Sequence, residues 1–309
     1  MTVKTENGIR KAKNSIKIHH LFQMTFGINY DMHSPQLEEY YSIPGNQCPT
    51  VETVNCFAKN PLVFEPGEGW KYGLSHDVLG ALVEVLSGEK FENYGKAHIF
   101  DPLGMIHSDF THPVEDWDGF ARMYQYDQKT GSFNPIFRHW CHIGKEFAGG
   151  GGGCTSTVED YIKFLEALRV GDVILKKETI AMMATDYLSD QQRAMYPYCT
   201  TNIGYGLGMR APRIDALHKE FGWAGAAGAY ASVDPELNIS FYYSQHVIVS
   251  PNRHLRRWLY NTIRADLLGE KVQVPIKTVD NNPNLTYESS LPSDENNFVF
   301  PIYGFSFGY

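Results

Sequence analysis

The sequence predicts an α+β fold, in which an antiparallel sheet flanked by helices follows a mostly helical region. Through the first two thirds of the chain, apolar residues recur at helical spacing between turn signals. From residue 201 onward, short runs rich in aromatic and β-branched residues alternate with glycine and proline turns, which is typical of paired strands. An amphipathic helical pattern then predicts one more helix at the end of the folded part. Helices are therefore expected both before and after the sheet region in the sequence.

Composition restricts the class of protein and its partners. With 309 residues, of which 43% are hydrophobic, the chain can bury the core of one large domain or of two closely packed ones. Its net charge is -8 and no basic stripe is interleaved with aromatics, so nucleic acid is not expected as a partner. No apolar run reaches the length of a membrane span, so we expect no membrane association.

The cysteines predict a reducing, cytoplasmic setting, although a signal peptide upstream of Met1 would change that expectation. Their number is odd and no C-x-x-C occurs, which is typical of free thiols. The adjacent His19 and His20 cannot face one metal ion from a helix, so neither a metal nor another cofactor is expected. The cysteines are Cys48, Cys56, Cys141, Cys154 and Cys199.

Three segments are expected along the chain. Residues 1–15 are polar and predicted to be irregular, and residues 16–270 form the folded domain. Its helical part covers about residues 16–200 and its sheet part about residues 201–270. Residues 271–309 are rich in proline and asparagine and then in aromatics, which predicts a polar linker and an aromatic tail.

The folded domain is organised around residues 64–88. A Pro-Gly turn precedes Tyr72, Ser75 is predicted to cap a helix, and Gly88 is predicted to end it. Tyr72 therefore lies on a short loop between a turn and a helix start, where a scaffold can hold a reactive side chain rigidly. Taken alone, Trp70-x-Tyr72 is better explained as two ordinary core aromatics, and only the surrounding motifs favour a functional tyrosine. The helix has apolar residues at helical spacing, namely Val78, Leu79, Leu82, Val83 and Leu86.

The remaining elements follow from the same patterns. Helices are predicted at residues 16–27, 51–58 and 91–99, from Thr157 with Asp160 in a capping-box-like start, and from Ser250 to Gly269. The helix after Thr157 is expected to bury Tyr161, Phe164, Leu165 and Leu168. Residues 109–147 are expected to form irregular strands and loops. Strands are predicted near residues 205–210, 220–224, 229–233 and 239–245, with a turn at Asp234-Pro235-Glu236.

A run of five glycines, residues 149–153, suggests a phosphate-binding loop at first sight. The following G-K-[ST] of such a loop is missing, because Cys154-Thr155-Ser156-Thr157 comes next. We therefore interpret the run as backbone that passes close to the candidate site.

Five motifs occur in the order of one known family. They are H-H-L-F-Q-M-T-F-G-I at residues 19–28, W-K-Y at residues 70–72, F-D-P-L-G-M at residues 100–105, the glycine run with Ser156-Thr157, and F-G-W-A-G-A-A-G at residues 221–228. Together they resemble the serine β-lactamase and penicillin-binding-protein family, in its class C-like, esterase-type branch. The resemblance covers residues 16–268 and implies a β-lactamase/DD-peptidase-like fold that lacks its amino-terminal strands and nucleophile helix.

The resemblance also implies a candidate acyl-transfer site. Tyr72 corresponds to the catalytic tyrosine, and the backbone N–H of Ala226 to one half of an oxyanion hole. Trp223, Gly225 and Leu74 then belong to the substrate pocket, and Tyr72 and Ala226 are expected within about one side chain's length of each other. Trp223 replaces a lysine of the family and Leu74 an asparagine, which favours a small ester over a β-lactam or a peptide amide.

The nucleophile of the family has no good match. Its S-x-x-K precedes the H-L-L segment, whereas the single S-x-x-K here runs from Ser87 to Lys90 across the predicted helix end at Gly88. Three hypotheses therefore remain: a serine hydrolase for esters or amides given without its nucleophile segment and inactive as such, a ligand-binding pseudo-enzyme, or a structural or interaction protein. An in-frame S-x-x-K in the DNA upstream of Met1 would favour the first.

A last expectation concerns the sheet edge. In the family, strands of the missing segment pair with the final strand, here near residues 239–245. The edge is therefore expected to be covered by the aromatic tail at residues 298–307 or by self-association with a second copy.

Overall fold

The computed structural model describes residues 1–31, 34–110, 119–136, 143–200, 202–216, 218–252 and 255–269. Its helices are α1 (Ile18–Phe22), α2 (Pro35–Tyr41), α3 (Thr50–Phe57), α4 (Ser75–Ser87), α5 (Phe91–Gly95), α6 (Asp101–Leu103), α7 (Val158–Val170), α8 (Lys177–Met183), α9 (Asp190–Met195) and α10 (Leu255–Leu267), with a π-helical turn, Lys96–Phe100, joining α5 to α6. Its strands are β1 (Thr2–Thr5), β2 (Gly8–Lys11), β3 (Met123–Tyr126), β4 (Phe133–Ile136), β5 (Ile203–Tyr205), β6 (Arg210–Pro212), β7 (Phe221–Ala224), β8 (Tyr230–Asp234), β9 (Ile239–Tyr243) and β10 (Val247–Ile248).

The main sheet is antiparallel, with strand order β5-β6-β7-β8-β9. Successive side chains of a strand point to opposite faces, so Phe241 and Tyr242 of β9 contact different helices. The Tyr242 ring lies 4.6 Å from the Tyr161 ring of α7, and the Phe241 ring lies 6.0 Å from the Tyr260 ring of α10. Helices thus cover both faces, which confirms the predicted α+β class.

The helices with the strongest sequence patterns are confirmed. Thr157 caps α7 by accepting a hydrogen bond from the Asp160 N–H at 3.2 Å, and Leu165 and Leu168 are buried as predicted. The Asp160 carboxylate does not complete a capping box, because it accepts instead from the His107 N–H at 2.7 Å and from Lys163. α3 and α10 also lie where the sequence predicted helices.

One predicted strand is wrong. Residues 206–209 form a turn between β5 and β6, in which the Gly206 N–H donates to the Met209 carbonyl at 2.9 Å. Gly208 adopts φ +91°, a left-handed conformation that interrupts a strand. The following turn between β8 and β9 is confirmed, since Asp234 Oδ1 accepts from the N–H groups of Glu236 and Leu237 at 3.0 and 3.1 Å.

The amino-terminal segment is ordered where an irregular segment was expected. β1 and β2 form an antiparallel hairpin in which Thr2 lies opposite Lys11. Glu65, which is buried, accepts hydrogen bonds from the Lys13 and Asn14 N–H groups at 2.9 and 3.1 Å. These N–H groups, that of Asn14 first, hold the pKa of Glu65 below its usual range. The end of the hairpin is therefore fixed by a residue 51 and 52 positions away from Asn14 and Lys13, a contact that no local pattern reveals.

The aromatic tail at residues 298–307 lies outside the described residues. In the described part of the chain, every helix falls short of the length and apolar content that a membrane crossing requires.

Candidate functional site

The loop that carries Tyr72 is fixed to the segment after α1. The Gly67 N–H donates to the Thr25 carbonyl at 2.8 Å, and the Lys71 N–H donates to the Met24 carbonyl at 3.0 Å. A Cβ at Gly73 would lie 2.2 Å from the Ile28 carbonyl oxygen, so only glycine allows the two backbones to approach this closely. The loop therefore presents Tyr72 from a rigid position, as the sequence predicted.

Tyr72 stacks with two other aromatic rings, those of Tyr30 and Trp223. Its ring is 6.0 Å from that of Tyr30 with an angle of 3° between the planes, and 5.6 Å from that of Trp223 with an angle of 22°. We call Tyr30, Tyr72 and Trp223 the aromatic stack. Tyr72 and Trp223 are both half-buried, so the aromatic stack offers partly accessible π faces. The structure thus brings together two of the residues that the sequence predicted for the site.

Gly225 and Ala226 lie in the turn between β7 and β8, directly after Ala224 ends β7. The Gly225 N–H donates to the Ala229 carbonyl at 2.8 Å, which closes the turn. Ala226 is exposed, and its N–H donates to no other described residue. An N–H held in this way can donate to an oxygen atom of a bound molecule.

A side chain of α10 supports the turn between β7 and β8. Arg256 is buried, and its Nη1 donates to the Gly225 and Ala229 carbonyls at 2.8 and 3.0 Å. Sequence analysis did not find this residue, because an arginine on an amphipathic helix is usually a solvated side chain. Arg256 therefore orients the Gly225–Ala226 peptide group, to which the Ala226 N–H belongs, and the Ala229–Tyr230 peptide group at the end of the turn.

A second layer of aromatics lies beneath the aromatic stack. Tyr205 is fully buried, with its ring 5.4 Å from Trp223 and 5.5 Å from Trp70, and the Tyr196 ring is 4.5 Å from Trp70. Burial raises the pKa of the Tyr196 and Tyr205 hydroxyls, so both stay neutral. Their hydroxyls and Trp70 Nε1 have no hydrogen-bond partner among the described residues. Tyr196 and Tyr205 carry no local sequence signal for this position, because they lie far from Trp70 in the chain.

Two residues near Tyr72 differ from the sequence predictions. Leu74 is 2% exposed and packs in a core cluster with Phe26 and Ile28, so it supports the loop and does not line the pocket. Ser75 is the first residue of α4 and is buried, while Leu74 occupies the position that precedes the helix. Ser75 Oγ has no hydrogen-bond partner among the described residues, so this side chain does not cap the helix.

The S-x-x-K pattern does not form a nucleophile pair. Gly88 ends α4 with φ +77°, as predicted. Ser87 Oγ donates to the Val83 carbonyl at 2.7 Å, and Lys90 precedes the separate helix α5. Ser87 and Lys90 are therefore not one turn apart on a continuing helix, which the pair would require.

The glycine run lies against the start of α4. The Gly151 N–H donates to Asp77 Oδ1 at 3.2 Å, and a Cβ at Gly150 would lie 2.3 Å from the His76 carbonyl oxygen. Glycine is required here for close backbone packing. Burial raises the pKa of Asp77 to about 6, and burial lowers the pKa of His76.

Comparison with known proteins finds one matching family and several similar proteins and structures. The sequence profile of the family described as Beta-lactamase matches residues 8–266. Protein Rv1367c of Mycobacterium tuberculosis is 27% identical over 256 residues, a match that covers 76% of this chain and 63% of that protein. Lovastatin esterase of Penicillium rubens is 25% identical over 288 residues, covering 82% of this chain and 69% of the esterase.

Among solved structures, unliganded simvastatin synthase (LovD) from Aspergillus terreus has a similar fold. The TM-score is 0.70 at 22% identity, and the match covers 86% of this chain and 74% of that chain. The chain thus spans somewhat less than two thirds of the mycobacterial relative and about seven tenths of the esterase.

Proposed function

The chain belongs to the β-lactamase family, and from this premise we propose that its cleft serves acyl chemistry on small, apolar esters and not the recognition of β-lactams. The aromatic stack is the observation that carries the proposal. Flat, neutral rings at Tyr30, Tyr72 and Trp223 suit an uncharged apolar or aromatic group, which they contact through offset stacking. The similarity to a lovastatin esterase supports the same substrate class.

The polar part of the proposed site is the Ala226 N–H. A carbonyl oxygen of a bound ester accepts a hydrogen bond from it while the apolar part of the ester rests on the aromatic stack. Such a donor favours developing negative charge on the oxygen, and removing one donor of this kind costs about 2.7–4 kcal/mol of transition-state stabilisation in enzymes that depend on it. Arg256 keeps the donor in place through its bonds to Gly225 and Ala229.

The covalent step is not proposed for the chain as given. The one S-x-x-K pattern of the sequence is split by the end of α4 at Gly88. A tyrosine acts as a base only when a neighbouring cation favours its phenolate, since its unperturbed pKa is about 10. We therefore propose that these 309 residues bind the ester without forming an acyl-enzyme.

The test is ligand binding by tryptophan fluorescence with N-(4-nitrophenyl)butanamide, an amide analogue of an activated ester. We expect binding that Trp223→Ala weakens by about tenfold, the loss of roughly one stacked aromatic contact. Phe133→Ala is the matched control, because Phe133 is 50% exposed on β4. Tighter binding of benzylpenicillin than of the anilide, or equal binding by both variants, would contradict the proposal.

A second candidate function is that of a serine hydrolase whose nucleophile lies in sequence upstream of Met1. A burst experiment distinguishes it from ligand binding without catalysis. The chain as given should release no burst of nitrophenolate from 4-nitrophenyl butyrate and should not be labelled stoichiometrically by a fluorophosphonate. Protein expressed from the same gene with in-frame upstream codons gives a burst if the hydrolase hypothesis is correct. Without a burst, the ligand-binding hypothesis is retained.

A further inference from the structure

The turn that carries the Ala226 N–H is held at two points by different elements. Arg256 of α10 donates to the Gly225 carbonyl at 2.8 Å and so fixes the peptide group before Ala226. The Val247 N–H of β10 donates to the Ala227 carbonyl at 2.8 Å and so fixes the peptide group after Ala227. Ala226 therefore lies between two fixed peptide groups, one bonded to α10 and the other to β10.

β10 is a short strand that needs support of its own. It has two residues and pairs in parallel with β3, with Val247 opposite Tyr124 and Ile248 opposite Gln125. Parallel pairs are slightly less stable per residue than antiparallel ones. Val249, directly after β10, adopts φ +57°, which is a strained conformation for a β-branched residue. Contacts outside the strand pair are therefore required to fix the position of β10.

His246 supplies these contacts. Its carbonyl accepts from the Tyr124 N–H at 2.9 Å, and its Nδ1 lies 3.0 Å from the Ala121 carbonyl oxygen. A carbonyl oxygen can only accept, so Nδ1 carries the proton of this bond. β3 is itself paired with β4 over four residue pairs. His246 thus connects the hairpin of β3 and β4 to the strand that holds the Ala227 carbonyl.

We propose that His246 is a positioning residue of the ester site. Its side chain fixes β10 to the segment before β3, β10 fixes the Ala227 carbonyl, and the Ala226 N–H thereby keeps its orientation. The inference rests on the proposed function, in which this N–H donates to the carbonyl oxygen of the ester. His246 itself does not contact the ester and acts only through the turn.

The test compares two ligands that differ only at a carbonyl group. They are N-(4-nitrophenyl)butanamide and N-butyl-4-nitroaniline, an amine that has CH2 in place of C=O. Only the amide has a carbonyl oxygen that can accept from the Ala226 N–H, whereas both ligands offer the same nitrophenyl ring to the aromatic stack. We expect His246→Ala to weaken binding of the amide about threefold, at the lower end of what one hydrogen bond contributes, and to leave binding of the amine unchanged. Tryptophan fluorescence measures both.

Two further variants and a measurement without ligand complete the experiment. His246→Asn keeps an N–H donor at the position of Nδ1, so it should bind the amide as the parent chain does. His107→Ala removes an exposed histidine whose backbone N–H is bonded to Asp160 of α7, and it should affect neither ligand. Hydrogen exchange of the Val247 N–H reports the hold on the turn directly. It should be about threefold faster in His246→Ala and unchanged in the other two variants.

Three results would overturn the proposal. Equal weakening of the amide and the amine by His246→Ala would show that His246 only maintains the shape of the cleft. Weakening of the amide by His246→Asn as large as that by His246→Ala would exclude the bond to Ala121 as the cause. Unchanged exchange of the Val247 N–H in His246→Ala would show that His246 does not hold β10. If the parent chain binds neither ligand, the proposed function fails, and the exchange of the Val247 N–H still decides whether His246 positions the turn.

Discussion

Tyr72 is held by stacked ring contacts with Tyr30 and Trp223. These contacts depend on the ring and not on the hydroxyl, so the two parts of the side chain can be tested separately. The rings fix the position of the residue, whereas any chemistry belongs to the oxygen.

We therefore expect Tyr72→Phe to keep the free energy of unfolding within about 0.5 kcal/mol of the parent chain. Tyr72→Ala should lower it by about 2 kcal/mol, roughly half the loss seen when a fully buried aromatic is truncated. Urea unfolding measures both. Equal losses in the two variants would mean that the hydroxyl, and not the ring, holds the loop.

Asp77 is a buried carboxyl whose pKa is raised to about 6 by burial, above its unfolded value near 3.8. The folded state therefore holds this proton more tightly, and stability falls as pH rises from about 4 to about 6 and then stays level. A difference of two pKa units corresponds to about 3 kcal/mol.

Asp77→Asn should accordingly be more stable than the parent chain at pH 8 and similar to it at pH 4. The asparagine oxygen can still accept the Gly151 N–H, so the contact with the glycine run is kept. The measurement is the urea midpoint from pH 4 to pH 8. If the stabilities of the two proteins depend on pH in the same way, the interpretation that burial raises the pKa of Asp77 is wrong.

At the scale of elements, β6, β7 and β8 are joined by a buried ionic network. Arg210 and Glu220 form a salt bridge, Tyr230 donates to Glu220 Oε1 at 3.1 Å, and Ser232 donates to the same oxygen. Burial acts to raise the pKa of Glu220, but the neighbouring Arg210 guanidinium outweighs it and keeps the carboxylate charged.

Glu220→Ala should cost about 3–5 kcal/mol of stability, because it leaves the Arg210 charge buried without its partner. The double variant Arg210→Met, Glu220→Leu should recover most of that loss, since neither charge is then buried. Thermal and urea unfolding of the parent, single and double variants provide the comparison. If the double variant is less stable than Glu220→Ala, the network contributes more than the cost of burying its charges.

Long helices could be predicted from the sequence, whereas short strands could not. α4, α7 and α10 each have 13 residues, enough to show both a helical period and a terminal signal such as Gly88 or Thr157. β1, β2 and β5 have only three or four residues each, too few to show an alternation. Their positions are set by partners elsewhere in the chain, such as Glu65 for the amino-terminal hairpin.

Local sequence patterns likewise revealed only part of the candidate site. Tyr72, Trp223 and Ala226 were found because each lies in a recognisable motif. Tyr30, Tyr205 and Arg256 were not, since they reach the site only through the packing of segments that are far apart in sequence. Leu74 has the motif position of a pocket residue but is turned into the core.

For the whole molecule, the site is a junction between the helical and sheet parts of the chain. Tyr72 precedes α4 in the helical part, and Trp223 lies on β7 of the main sheet. The aromatic stack and the layer beneath it therefore hold the two parts together, which predicts that they unfold as one unit.

Urea unfolding followed by tryptophan fluorescence and by far-ultraviolet circular dichroism should then give coincident transitions. Tyr72→Ala should shift both midpoints together. Two separated transitions in the parent chain would show instead that the helical and sheet parts are independent domains.

The near-parallel arrangement of Tyr30, Tyr72 and Trp223 also has an optical consequence. Rings held in a fixed, asymmetric array give a circular dichroism signal at about 260–300 nm, in the near ultraviolet. Such a signal depends on rigid tertiary packing. The cleft therefore contains its own spectroscopic reporter. A molecule that binds against the aromatic stack changes the environment of these rings and so changes the ellipticity, without any label and before any bond is broken.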